Sequence, residues 1–184
     1  LCSLECPKCM RVQWKDKKKI PGKTMTVEQF GKIINYFKHI DFCGQISDPI
    51  FNPNFITFLS MCRDAQKSST VHTAASQRPI SWYEKAFDTN PKTRWIFGVD
   101  GLPEESCMYR INQDGEKLFE AMKMGAKKGL QIEWQYIVFS YNEDHIQEAY
   151  EMAKDNNIQF VINYSGRWTD DQDPYKPRNS KFST

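Results

Sequence analysis

Helix-start signals and short apolar runs alternate along most of this chain, and few folds satisfy that alternation. Thr26 to Gln29 reads as a capping box, followed by Val27, Phe30, Ile33, Ile34 and Phe37 at helical spacing. An apolar run at 39–43 suits a buried strand. Asn52 before Pro53 reads as an N-cap with proline in the first turn, and Phe55, Phe58, Leu59 and Cys62 supply the stripe behind it. A strand at 69–73 comes next, then a short helix opened by Ser81 to Glu84, then a strand at 95–99. Asp114 caps a long helix carrying Leu118, Met122 and Ala126, with Gly129 placed to end it. An extended run at 132–139, a helix capped at Ser140 and a last strand at 158–162 complete the series. Strands that alternate with helices are joined by crossovers, so they lie parallel with the helices outside. The expected class is α/β.

The other strong signal is Cys2, Cys6 and Cys9, a C-x3-C-x2-C run. An iron–sulfur cube normally takes four thiolates. Three leave one iron with an open position, the feature that separates reactive metal sites from structural ones. Two rival readings stand beside this. A C-x2-C pair is often half of a zinc site, yet His39, His72 and His145 form no His-x3-5-His pair. Disulfides are the other rival, but 6 cysteines in 184 residues fall well below the density of a disulfide scaffold. With no signal peptide or apolar span visible, a reducing, cytoplasmic setting is expected.

Bulk properties narrow the remainder. A chain of 184 residues suits one domain. A formal charge of +2 gives no electrostatic case for nucleic acid, and no membrane partner is expected. The basic run from Lys15 to Lys19 lacks interleaved aromatics and reads as a solvated loop. The tryptophans (Trp14, Trp82, Trp95, Trp134 and Trp168) read as core. Residues 165–184 are polar, with Pro174 and Pro177, and read as a tail or linker after a core domain at 1–164.

The triplet together with this strand–helix order resembles the radical S-adenosylmethionine (radical SAM) enzymes, over the stretch from Cys2 to about Ile162. The resemblance implies a partial (β/α)6 TIM-like barrel whose first strand would precede Cys2. It implies a [4Fe–4S] cluster on Cys2, Cys6 and Cys9, whose open iron holds SAM. The segment from Gly44 to Pro53 resembles the family's Gly-Gly-Glu-Pro loop, with Asp48-Pro49 in place of Glu-Pro. On that likeness Gly44, Gln45, Ser47 and Asp48 would contact SAM, with Asp48 supplying negative charge or fixing the loop. The segment from His72 to Ser76 resembles the Thr-Asn-Gly segment, with Thr73 kept and Ala74 and Ala75 substituted. The stretch from Gly98 to Gly101 resembles Ser-x-Asp-Gly, with Gly98 replacing Ser and Asp100 a candidate for ribose or substrate. Arg110 would pair with the SAM carboxylate, which suits a planar guanidinium. Gln135, Ile137 and Val138 lie where adenine would pack, and Lys8 replaces the usual aromatic between the last two cysteines.

The implied activity is reductive cleavage of SAM to a 5′-deoxyadenosyl radical that abstracts hydrogen from a substrate. The likeness to peptide-modifying and sulfatase-maturing members makes a peptide or protein the first substrate expected, with a small molecule or nucleoside as runner-up. The electron donor would be a flavodoxin or ferredoxin. A non-enzymatic metal module, and a degenerate barrel that does no chemistry, stay open on the changes at Ala74 and Gly98. No residue in the sequence identifies the acceptor atom.

Overall fold

The computed structural model describes residues 1–13, 23–44 and 46–182. Gln45, Trp14 and the basic run from Lys15 to Lys19 lie outside the described residues. Five strands form one sheet: β1 (His39–Phe42), β2 (Ser68–Thr73), β3 (Arg94–Gly98), β4 (Ile132–Ile137) and β5 (Gln159–Asn163). Their spatial order follows their chain order, and every neighbouring pair is parallel. Each crossover carries a helix: α3 (Phe55–Asp64), α4 (Ile80–Thr89), α5 (Gly115–Lys127) and α6 (Ile146–Asp155). Ahead of β1 stand a single turn, α1 (Met10–Gln13), and α2 (Val27–Ile34). Among the described strands β1 and β5 each have one partner, so the sheet is an open arc.

The strands sort their side chains by parity. Trp95, Phe97, Trp134 and Tyr136 face the helices and are fully buried. Trp95 meets Phe87 of α4 edge-on at 5.1 Å and Phe55 of α3 at 6.2 Å, and Trp134 lies 5.3 Å from Phe119 of α5. Such aromatic contacts add about 0.5–1.5 kcal/mol each beyond burial. The other face carries His72, Ile96, Gly98, Glu133, Gln135 and Ile137, a mixed surface suited to a lined cavity rather than a packed layer. Of the tryptophans read as core, Trp95 and Trp134 are fully buried, while Trp82 and Trp168 are half-buried.

Local signals placed some helix ends and not others. The box at Thr26 forms as expected, with Gln29 N donating to Thr26 Oγ1 (3.2 Å) and Thr26 N to Gln29 Oε1 (3.0 Å). Asp114 caps α5 by accepting from Lys117 N at 2.9 Å. Gly129 takes φ +83° just past that helix, where a side chain would be strained. The box expected at Ser81 does not form. Helix α4 starts at Ile80 behind Pro79 and has no side-chain cap. Asn52 lies two residues too early to cap α3; its Oδ1 accepts from Asn54 N at 2.8 Å, and the helix opens at Phe55 behind the N-cap Asn54. Ser140 caps nothing either, because α6 begins at Ile146 and the Ser140 hydroxyl donates to the Pro174 carbonyl. No helix among the described residues is long and apolar enough to cross a membrane.

Candidate functional site

The C-terminal ends of β1 to β4 converge with the cysteine loop. In sheets of this kind that edge hosts the chemistry, because the loops there are free to vary while the strands hold them rigid. The cysteine loop is fixed at several points. Asp48 N donates to Leu1 O (2.9 Å), Glu5 N to Ile111 O (3.0 Å) and Asn112 Nδ2 to Ser3 O (3.3 Å). The Arg11 guanidinium donates to Leu4 O, and the Leu4 side chain is buried. Cys9 N donates to Cys6 O at 3.0 Å, closing a turn, and α1 starts at the next residue. These contacts tie the loop to the segments after β1 and β3, so the three cysteines stand on a supported turn.

All three are free thiols and partly buried. Burial pushes the Cys6 thiol up to about 11, against the opposing pull of Arg110. Burial also raises Cys2, which feels Asp48 and Arg11. Thiols of this kind must shed protons to bind metal. No three His, Cys, Asp or Glu side chains among the described residues stand close enough to hold a single metal ion. Three free, partly buried thiols on one supported turn, with the part-buried Arg110 guanidinium near Cys6, are the donor set that a thiolate-held cluster would use.

Asp48 sits at the end of the β1 loop with its carboxylate turned into the protein. It accepts from Thr73 Oγ1 (2.9 Å), Ala74 N (3.0 Å), Ala75 N (3.1 Å) and Ile50 N (3.2 Å). Burial pushes its acid up, and these four donors oppose the shift. An alanine there would leave three buried N–H groups without acceptors, at roughly 1–3 kcal/mol each. Asp48 thus staples the β1 loop onto the end of β2, and the Thr73 hydroxyl is one of the prongs. Ser47 and Gly44 are exposed. A Cβ on Gly44 would come within 2.0 Å of the Ser47 carbonyl oxygen, so only glycine lets this loop close on itself.

On β3 the arrangement is equally specific. Asp100 is fully buried; it accepts from Arg110 Nε (2.7 Å) and from Ile137 N (2.9 Å), which joins the ends of β3 and β4. Desolvation works to discharge Arg110, but Asp100 and Cys6 hold its guanidinium charged well above the ordinary value. A Cβ on Gly98 would stand 2.8 Å from Arg110 Nη2. Glycine therefore replaces the expected serine in a space that the guanidinium fills. Val138, just past β4, is fully buried in the main core, and its N–H donates to Asn163 O at 3.1 Å.

Several residues of this edge carry no sequence signal. Gln113 Nε2 donates to Ala74 O (2.6 Å) and Gly98 O (2.9 Å), bridging the ends of β2 and β3. Tyr141 donates to Asp100 O at 2.8 Å. Asn142 accepts from Phe139 N (2.7 Å) and donates to Ile137 O (3.0 Å), shaping the loop after β4. Gln113 and Tyr141 act on backbone far away in sequence, so no local pattern marks them, while Asn142 acts within its own loop.

A groove of about 910 Å³ opens beside β1, with Phe30, Phe42, Phe55 and Phe58 in its wall. That volume is in the range of small-molecule sites. It takes in Cys2, Ser47 and Asp48 from the expected site; Thr73, Asp100, Arg110 and Val138 do not line it.

No family profile and no curated protein matches the sequence. Solved structures do match the fold. SuiB of Streptococcus suis bound to S-adenosylmethionine superposes with a TM-score of 0.76 at 15% identity, covering 97% of this chain and 41% of SuiB. SuiB bound to the precursor peptide SuiA gives 0.71 at 14% identity over 88% of this chain and 36% of SuiB. The protein anSMEcpe with bound AdoMet and the Cp18Cys peptide gives 0.65 at 16% identity, covering 95% of this chain and 51% of that one. The chain thus spans about two fifths of SuiB and half of anSMEcpe. At such identities the likeness establishes the fold, an open α/β partial barrel, as the radical SAM resemblance implied.

Proposed function

We propose that this chain is the core of a radical SAM enzyme acting on a peptide or protein. The observation that carries the reading is the seating of a C-x3-C-x2-C loop on the C-terminal edge of a parallel arc, beside a buried arginine. A fold alone does not assign function, so the argument rests on that site. Two supports come from outside the chain: SuiB and anSMEcpe have each been solved with S-adenosylmethionine bound, and each has been solved with a peptide bound.

In this reading Cys2, Cys6 and Cys9 hold a [4Fe–4S] cluster. When bound, it would supply the electron for reductive cleavage of SAM to a radical that takes hydrogen from the substrate. The chain's own contributions follow from its contacts. Arg110, kept charged by Asp100, presents the face of a guanidinium not used by that carboxylate to the SAM carboxylate. Asp48 acts by pinning the end of the loop after β1 to the end of β2, and Gly44, Gln45 and Ser47 are the residues of that loop that would offer carbonyls to the SAM ammonium group. Gln135 and Ile137, on the open face of β4, would flank the adenine, whereas the Val138 side chain is fully buried in the main core and would reach it through its backbone alone. Asp100 serves as the positioner of Arg110, since its two carboxylate oxygens are engaged by Arg110 and Ile137. The electron donor would be a flavodoxin or ferredoxin.

The test is anaerobic reconstitution with iron and sulfide. The reading expects a brown protein with about four irons per chain. A colourless product holding one zinc would overturn it in favour of a structural metal module.

A further inference from the structure

The polar segment after β5 folds back onto the site. Ser140 N donates to Tyr175 O at 3.1 Å, and the Ser140 hydroxyl donates to Pro174 O. Tyr175 meets Tyr109 edge-on at 5.2 Å, and Trp168 meets Phe139 at 5.9 Å. At its centre is Asp173, whose side chain is fully shielded from solvent. Its carboxylate accepts from Thr169 N (3.0 Å), Thr169 Oγ1 (2.9 Å) and Tyr175 N (3.1 Å). It also accepts from the Lys8 ammonium, itself only 15% exposed, across 165 residues of sequence. Lys8 lies between Cys6 and Cys9, inside the turn closed by Cys9 N and Cys6 O.

We propose that Asp173 is a positioning residue for the cysteine loop: through its buried pair with Lys8 it holds the Cys6–Cys9 turn in place and so governs how firmly the metal group is retained. The inference rests on the reading of the three cysteines as cluster ligands. An unpaired ammonium so largely shielded from water is unfavourable, so the turn carrying it shifts to bring Lys8 to solvent. That motion displaces Cys9, the next residue. Partners that orient metal ligands from behind change affinity about 10–100-fold when removed.

Lys8→Met isolates the effect, because it removes the pair and leaves both Asp173 oxygens with their local donors; Asp173→Asn removes the charge but also one acceptor, since Thr169 reaches Oδ2 and Tyr175 N reaches Oδ1. Iron release from the reconstituted protein to a chelator should be about 10-fold faster or more in Asp173→Asn and in Lys8→Met. Lys8→Arg, which keeps the pair, should release iron near the wild-type rate. Arg178→Gln removes an exposed guanidinium on the same segment that pairs with buried Glu143 and exposed Asp144, and should also leave release unchanged, because Glu143 keeps its Arg178 and Asn179 backbone donors. Hydrogen exchange in the metal-free protein provides a readout independent of iron: amides of the peptide spanning residues 1–13 should exchange faster in Asp173→Asn than in wild type. Unchanged release and exchange in Asp173→Asn would overturn the clamp, and so would equal acceleration by Arg178→Gln. A wild-type protein that takes up no iron would instead defeat the cluster reading, while the exchange comparison still decides whether Asp173 holds the turn.

Discussion

Replacing Cys6 with alanine is expected to abolish cluster loading while the chain stays folded. The thiol is only partly buried, and Cys6 belongs to neither apolar cluster of the core. The loop around it is held by other residues: Leu4 is buried, Glu5 N reaches Ile111 O, and Lys8 reaches Asp173. A substitution away from packing, caps and buried charge usually changes stability by no more than about 0.5 kcal/mol. The metal loses one of three ligands, and no other cysteine lies in this loop to replace it. Iron and sulfide assays on the anaerobically reconstituted variant should therefore fall to background, with the thermal transition of the metal-free variant close to that of wild type. An unfolded variant that still holds iron would reverse the assignment of roles.

Arg110→Ala should weaken SAM binding by about 10–100-fold, the worth of a charge-assisted hydrogen bond, while iron content stays at the wild-type level. Alanine also strands the Asp100 carboxylate, which is fully buried and would keep only the Ile137 amide. Removing one partner of a buried pair costs about 3–5 kcal/mol of stability, so Arg110→Lys belongs beside it. Lysine keeps the charge next to Asp100 and loses the planar fork. A weakened SAM affinity in Arg110→Lys, measured by calorimetry on protein of matched iron content, ties the effect to guanidinium geometry. A dissociation constant unaltered in both variants would remove Arg110 from the site.

The architecture was legible because each strand–helix unit announces itself locally. Thr26 and Asp114 cap their helices with side chains three residues from their partners, an interaction written entirely in nearby sequence. Ser81 and Ser140 present the same local pattern and cap nothing. Pro79 already sets the entry to α4, and Pro174, 34 residues away from Ser140, takes that hydroxyl. The site divides in the same way. The motif residues could be found, because glycine, acidic and basic types stand at strand ends. Their partners could not. Asp48 reads as either a charge for SAM or the residue that fixes its loop, and its bonds to the end of β2 select the second. Gly98 reads as a lost serine, yet its missing Cβ leaves room for Arg110. Residues 165–184 read as a tail or linker by composition, and composition alone does not show the pairing of Asp173 with Lys8 or the packing of Tyr175 on Tyr109. Long-range pairing of this kind depends on the assembled fold and leaves no periodic trace.

The central claim is that three thiolates leave one metal corner free for a sulfonium nucleotide. Protein reconstituted to its full iron content, reduced with dithionite and supplied with SAM should yield 5′-deoxyadenosine, detected by mass spectrometry, and the Cys6→Ala variant should yield none. No 5′-deoxyadenosine from the fully loaded wild-type chain would contradict the account.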